Sequence, residues 1–72
     1  MTQSAVRAAV EKSLRNQRVV LHLTNGDQLE VPHPDYVAFS PVSPEIIVWP
    51  RGPGFAVVSL DEIARIAIAP AG

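Results

Sequence analysis

His22 and His33 are the two histidines of this chain, and imidazole is a common metal ligand. His33-Pro34-Asp35 places an imidazole and a carboxylate two positions apart, as two ligands of a metal could be. Zinc takes three or four protein ligands, and this spacing offers no third and fourth. The tripeptide reads as a turn in which Asp35 caps backbone N–H groups, and no metal is expected. Ser40, Ser43 and Ser59 lie near prolines or at strand ends, without a G-x-S-x-G elbow. Asp61 and Glu62 are adjacent, so their side chains diverge, which suits a turn cap and not an acid/base pair. Arg51-Gly52-Pro53-Gly54 lacks the lysine and following helix of a phosphate loop and reads as a hairpin connection. No catalytic residue and no cofactor is expected, and the chain is read as non-enzymatic.

Charge offers a second kind of chemistry. Residues 1–18 hold Arg7, Lys12, Arg15 and Arg18 against Glu11, a balance of +3. Residues 19–72 hold Arg51 and Arg65 against Asp27, Glu30, Asp35, Glu45, Asp61 and Glu62, a balance of −4. Arg7, Lys12, Arg15 and Arg18 could contact RNA phosphates or an acidic protein partner. A solvated helix face complementing its own acidic domain explains the same pattern and is preferred. Tyr36, Trp49 and Phe55 could stack on bases, but only Trp49 has a basic neighbour, Arg51. Any RNA binding is therefore expected to be weak.

These residues must be positioned by a small fold. The 72 residues are 47% hydrophobic and 18% charged, too apolar for disorder and too few for two cores. One domain over residues 1–72 is expected. A net charge of −1 excludes a generally basic nucleic-acid binder. Without cysteine, neither disulfides nor a cysteine-based zinc site can staple the fold. No apolar run approaches the ~18 residues of a membrane span. The first twenty residues include Glu11 and Asn16 and lack a continuous apolar stretch, unlike a signal peptide. A cytoplasmic protein with no membrane contact is expected. So short a chain is marginal alone, and oligomerisation is one remedy.

The spacing predicts a helix over 4–16. Val6, Val10 and Leu14 recur every four residues, with Ala9 and Ser13 beside them, and Arg7, Glu11, Arg15 and Arg18 lie on another face. Ser4 is the candidate N-cap. Six of the seven prolines fall between residues 32 and 53, and none interrupts an apolar run. Proline marks strand limits, so strands are expected at 18–24, 27–31, 35–40, 45–49, 55–59 and 63–69. The fold class is mainly β: an N-terminal helix followed by a small, bent antiparallel barrel over 18–69, of Sm-like or Src-homology-3 type.

The first hairpin can be solved to its register. A two-residue Asn25-Gly26 turn would set Leu23 against Gln28 and Leu21 against Glu30. A three-residue loop, Thr24-Asn25-Gly26, sets Leu21 against Leu29 and Val19 against Val31, with Gly26 left-handed in a bulge. His22 and Gln28 then face outward together. Near the other end, Leu60-Asp61-Glu62-Ile63 reads as one helical turn, and Ile63, Ile66 and Ile68 return to the core.

The fourth and fifth strands are apolar on both faces. Ile46 and Val48 alternate with Ile47 and Trp49; Phe55 and Val57 alternate with Ala56, Val58 and Leu60. A strand in a domain this small normally keeps one face wet. The second face needs cover, from the helix or from another copy of the chain. Ile46, Ile47, Val48, Trp49, Phe55, Val57 and Val58 are the candidate oligomer interface, and a homo-oligomer is expected. A lysine at Val48 or Val57, on the outward side, should separate the subunits.

The run Leu-x-Leu-x-Asn-Gly-x-x-Leu-x-Val-x-His-Pro-Asp-Tyr-x-Ala over residues 21–38 resembles a pattern in short bacterial proteins of uncharacterised function. That resemblance covers roughly residues 19–68 and implies a small barrel without an assigned activity. More remotely, the helix, the strand ending Leu23-Thr24-Asn25-Gly26, the strand carrying Leu29 and the closing Ile63-to-Ile68 strand resemble the Sm-like fold. That likeness implies ring assembly through strand edges and RNA binding. Leu60-Asp61 align with the RNA-contacting lysine and histidine of the bacterial Sm-like chaperone, and an aspartate there repels phosphate.

Overall fold

A computed structural model describes residues 1–11, 17–50 and 52–70. The order is α1 (Gln3–Glu11), β1 (Gln17–Leu23), β2 (Gln28–Val31), a 3₁₀ turn (Pro34–Tyr36), β3 (Val37–Phe39), β4 (Glu45–Val48), β5 (Ala56–Ser59), a second 3₁₀ turn (Leu60–Glu62) and β6 (Ile63–Pro70). The strands form two three-stranded antiparallel sheets, ordered β2-β1-β6 and β3-β4-β5. Where one barrel is expected, the described ladders make two sheets over a shared core.

The β1–β2 register is the one that core alternation demands. Val19 pairs with Val31, Leu21 with Leu29 and His22 with Gln28. Leu23 N donates to Asp27 O at 2.9 Å and Gly26 N to Leu23 O at 3.0 Å, closing a three-residue loop. Gly26 has φ +94°, a conformation that a side chain makes costly. Asn25 Oδ1 accepts from Asp27 N at 2.9 Å and fixes the tip.

Between the sheets the chain turns through Pro32-His33-Pro34. Pro34 opens the first 3₁₀ turn, and His33 Nδ1 accepts from Asp35 N at 3.1 Å. The cap is thus the imidazole, and Asp35 supplies the donor, the reverse of the expected roles. This turn consumes Asp35 and Tyr36, so the strand expected from residue 35 starts at Val37. In the second 3₁₀ turn Glu62 Oε1 accepts from Ser59 N at 3.2 Å, which bears out the turn-cap reading of that carboxylate.

β6 contains an irregularity invisible to simple alternation. Leu23 pairs with Ile63 but His22 pairs with Arg65, leaving Ala64 as an extra residue. A bulge of this kind shifts the pleat by one residue. It lets Ile63 and Ile66, three positions apart, both turn toward the core. Ile63 is buried and Ile66 half-buried; Ile68, expected inside, is 44% exposed near the strand's end.

The helix is capped by Thr2, ahead of the expected Ser4, and starts at Gln3. Thr2 Oγ1 accepts from Ala5 N at 3.1 Å and Thr2 O from Val6 N at 3.2 Å, so Thr2 takes the role expected of Ser4. The expected continuation over 12–16, including Ser13, Leu14 and Arg15, lies outside the described residues. Val6 and Val10 are fully buried and join Val19, Leu21 and Val31 of one sheet to Val37, Ile46, Val48 and Val58 of the other. Leu60 and Ile63 complete the cluster. The helix is tied to the β3–β4 connection, where Gln3 Nε2 donates to Ser40 O at 2.7 Å and Ser43 O at 3.3 Å.

Candidate interaction surface

Pairing within β3-β4-β5 fixes which side chains share a face. Ile46 pairs with Val58 and with Phe39, and Ile47 pairs with Val57 and with Ala38. The first set points inward: Ile46, Val48 and Val58 are buried in the core. The second set points outward, and the expected interface therefore divides. Ile46, Val48 and Val58 hold the domain together, whereas Ile47, Trp49, Phe55 and Val57 remain on the surface. Val48 is not on the outward side, so a lysine there is a core lesion and does not test association.

The outward row is apolar along most of its length. Phe55 is 64% and Val57 57% exposed, with Ile47 half-buried between β3 and β5. Trp49 N donates to Tyr36 O at 2.9 Å, which extends the β3–β4 ladder by one pair. Tyr36, Trp49 and Phe55 thereby line up at one end of the sheet, with the Trp49 and Phe55 ring centroids 6.3 Å apart. His33 stands 6.2 Å from the Tyr36 ring. Asp35, Tyr36, Trp49, Pro50, Gly52 and Gly54 enclose an open cleft of about 510 Å³.

The helix does not cover this face. Its buried valines enter the core between the sheets, and its polar contacts reach Ser40 and Ser43 at the opposite end from Trp49. Of the two forms of cover expected for the second face, the described helix supplies neither Phe55 nor Val57 with shelter.

Of the four basic residues expected to act together, the two described ones, Arg7 and Arg18, lie on different elements. Arg7 is on α1, its guanidinium 4.3 Å from the centre of the Phe39 ring. Arg18 is in β1, opposite Ala69. Its Nε donates to Glu30 Oε1 at 2.9 Å and its Nη2 to Glu30 Oε2 at 3.4 Å. The hydrogen bond, and then the charge, of Glu30 raise the Arg18 pKa above its ordinary value. Lys12 and Arg15 lie outside the described residues.

Serines weighed as nucleophiles turn out to organise a loop. Ser40 Oγ accepts from Val42 N at 3.2 Å and from Ser43 N at 3.0 Å. The Ser40 and Ser43 hydroxyls are 2.9 Å apart, and Ser43 Oγ lies 3.2 Å from Glu45 Oε1. This network, together with Gln3, presents Val42 at 91% exposure. Val42 escapes sequence reasoning because an isolated valine between prolines has no periodic partner. The serines flanking it, in Ser40-Pro41-Val42-Ser43-Pro44, are the available signal. Among the described residues no charged side chain is buried, and no three candidate metal ligands cluster. No described helix is long and apolar enough to cross a membrane.

No protein-family model matches the chain, and no curated protein or solved structure is significantly similar to it.

Proposed function

We propose that this chain is a non-enzymatic interaction and assembly module that works as a homo-oligomer, using the outer face of β3-β4-β5. The observation that carries this reading is the open row of Ile47, Trp49, Phe55 and Val57, on the side of the sheet away from the core. Large apolar side chains beside a free strand edge invite pairing and aggregation unless a specific contact covers them. No lysine or arginine lies within β5, the edge strand of that sheet, to blunt the edge, and Glu45 is the sole charge in its neighbour β4. The strand orders β2-β1-β6 and β3-β4-β5, with a sharp turn between β2 and β3, are compatible with an opened barrel of Sm-like or Src-homology-3 type. The resemblance of residues 19–68 to short bacterial proteins supports the same architecture.

The test is the mass in solution. A chain of 7.8 kDa should sediment as a multiple of that mass at high micromolar concentration. Val57→Lys should return it to a soluble monomer with an unchanged circular dichroism spectrum. A 7.8 kDa species across the whole concentration range rules the reading out. The absorbance ratio at 260 and 280 nm of the purified protein reports any nucleic acid that travels with it, which would favour an RNA binder instead.

A further inference from the structure

Hydrogen bonding alternates along an antiparallel strand, and in β5 the alternation fixes which backbone groups are open. Leu60 N donates to Pro44 O at 2.9 Å, continuing the β4–β5 ladder past Glu45 and Ser59. Counting back in twos, Val58 and Ala56 turn their backbone groups toward β4. Phe55, Val57 and Ser59 turn theirs the other way, and β5 is the last strand on that side. The Ser59 N–H is taken by Glu62 Oε1 at 3.2 Å. No described group bonds the N–H of Phe55 or Val57. These two also carry exposed apolar side chains.

We propose that two copies of this chain pair antiparallel along β5, about a two-fold axis at Ala56. This rests on the self-association proposed above and gives it an edge, a register and a symmetry. Phe55 of each copy faces Val57 of the other, and each N–H donates to the opposite C=O, so every open group of the two residues finds a partner. Gly54, at φ +89°, turns the chain out of line just before this ladder, and Pro53 has no N–H to extend it. The neighbouring register, centred on Val57, sets Phe55 against Ser59. There the Ser59 N–H is already held by Glu62, and both Phe55 carbonyls lose their donor. At the axis the two Ala56 residues form a narrow, non-bonded pair, where the strands approach most closely and a small side chain fits.

The side chains suit the same register. Ala38, Ile47 and Val57 form one row across the outer face, and Phe55, Trp49 and Tyr36 another. Pairing joins the first row of each copy to the second row of the other, with Val57 against an aromatic ring. No residue from Phe55 to Leu60 is charged. Glu45, opposite Ser59, lies three positions from the axis. The two Glu45 carboxylates are thus ~20 Å apart along the strands, beyond the ~8 Å screening length. Asp61 and Glu62 follow Ser59 and are farther from the axis still, and Asp35 and Arg7 lie at the β3 side of the sheet. Like charges are thus kept apart, which a foreign strand need not achieve.

A two-fold contact uses the β5 edge of both copies and stops at two. A ladder this short buries less than the about 800 Å² per partner of a standard interface, so the dimer should dissociate on dilution.

The experiment is sedimentation equilibrium over a dilution series. Chains of 7.8 kDa should combine into a species of two and no larger. Val57→Pro removes the open N–H and keeps an apolar side chain. That N–H makes no bond to β4, so the variant should stay folded by circular dichroism, and it should remain monomeric where the parent pairs. An assembly that survives Val57→Pro, or one larger than two chains, overturns the edge contact and leaves association through the face. Amide exchange of the unaltered chain decides the matter if the variant is unfolded. Where nine-tenths of the chains are paired, the Phe55 and Val57 amides should exchange about tenfold more slowly than in dilute solution, and the Ser59 amide should not change. Equal exchange at Phe55 and Val57 in both conditions overturns the contact. In this cysteine-free chain, Ala56→Cys should oxidise to a covalent dimer faster than Val57→Cys, which lies two positions out of register. Equal or reversed rates overturn the axis at Ala56. A parent that is monomeric throughout overturns both this contact and the self-association, and leaves the edge to a strand of another protein.

Discussion

Leu21 faces Leu29 across the first hairpin, an alignment that a two-residue loop forbids and that a three-residue loop closes here. The loop in turn holds Gly26 at φ +94°. A methyl group at Gly26 would meet no atom within 4 Å, so the cost of adding one is in the backbone and not in a clash. Gly26→Ala is expected to destabilise the domain by about 1 kcal/mol, measured as a lower urea midpoint with an unchanged slope. An unaltered midpoint would contradict the backbone conformation described for the loop.

Lysines placed one residue apart on β5 should behave in opposite ways. Val57→Lys adds a charge to the exposed face and leaves the fold intact. Val58→Lys puts an unpaired ammonium beside Ile46, inside the core. That costs several kcal/mol, most of the stability of a domain this small. Loss of the circular dichroism signal for Val58→Lys, and its retention for Val57→Lys, is the expected pair of results. The same contrast holds on β4 between Val48→Lys and Ile47→Lys.

Gln3 and Glu62 are polar staples whose removal should be measurable. Gln3 donates to two loop carbonyls, and Glu62 accepts from Ser59 N. Gln3→Ala and Glu62→Ala should each lower stability by about 1 kcal/mol. Gln3→Ala should also loosen the Ser40–Pro44 loop, seen as faster amide exchange at Val42 and Ser43. Glu62→Ala should leave those two amides unchanged.

RNA binding through the basic residues would carry a bounded salt dependence. Four cations can neutralise at most four phosphates, which for single strands gives a slope of log K against log salt no steeper than about −3. Arg18 is already engaged by Glu30, so the expected slope is shallower still. Binding should be weak at physiological salt and fall further in Arg7→Ala. A tight complex that survives high salt would point to recognition by the aromatic end of the sheet, at Tyr36, Trp49 and Phe55.

The order of the strands and the first register were legible because each rests on a strict local rule, whereas the start of β3 at Val37, after the turn at Pro34–Tyr36, was not. Proline cannot sit in a central ladder, and alternation tolerates one pairing of Leu21 and Leu29 but not its neighbour. The bulge at Ala64 was not legible: isoleucines three apart can be served by a bulge or by a buried turn, and only pairing to β1 decides. Thr2 and Ser4 are both good caps, and no glutamate three residues on distinguishes them. For the surface, alternation identified two apolar faces on β4 and β5 without saying which was inside. That depends on where the helix valines enter, a long-range fact. Val42 was missed because its exposure is set by hydroxyl geometry in a loop, which hydropathy does not record.

The tie between Gln3 and the carbonyls of Ser40 and Ser43 joins parts of the chain 37 and 40 positions apart. Nine described helical residues are too few to persist alone in water. Val6 and Val10 find their cavity only after strands from both sheets have met. The helix is thus the last segment to acquire lasting structure, because its docking must wait for strands of both sheets. Dependence on distant contacts of this kind slows folding. It places the helix late on the pathway, where substitutions at Val6 and Val10 should speed unfolding and leave the refolding rate nearly untouched.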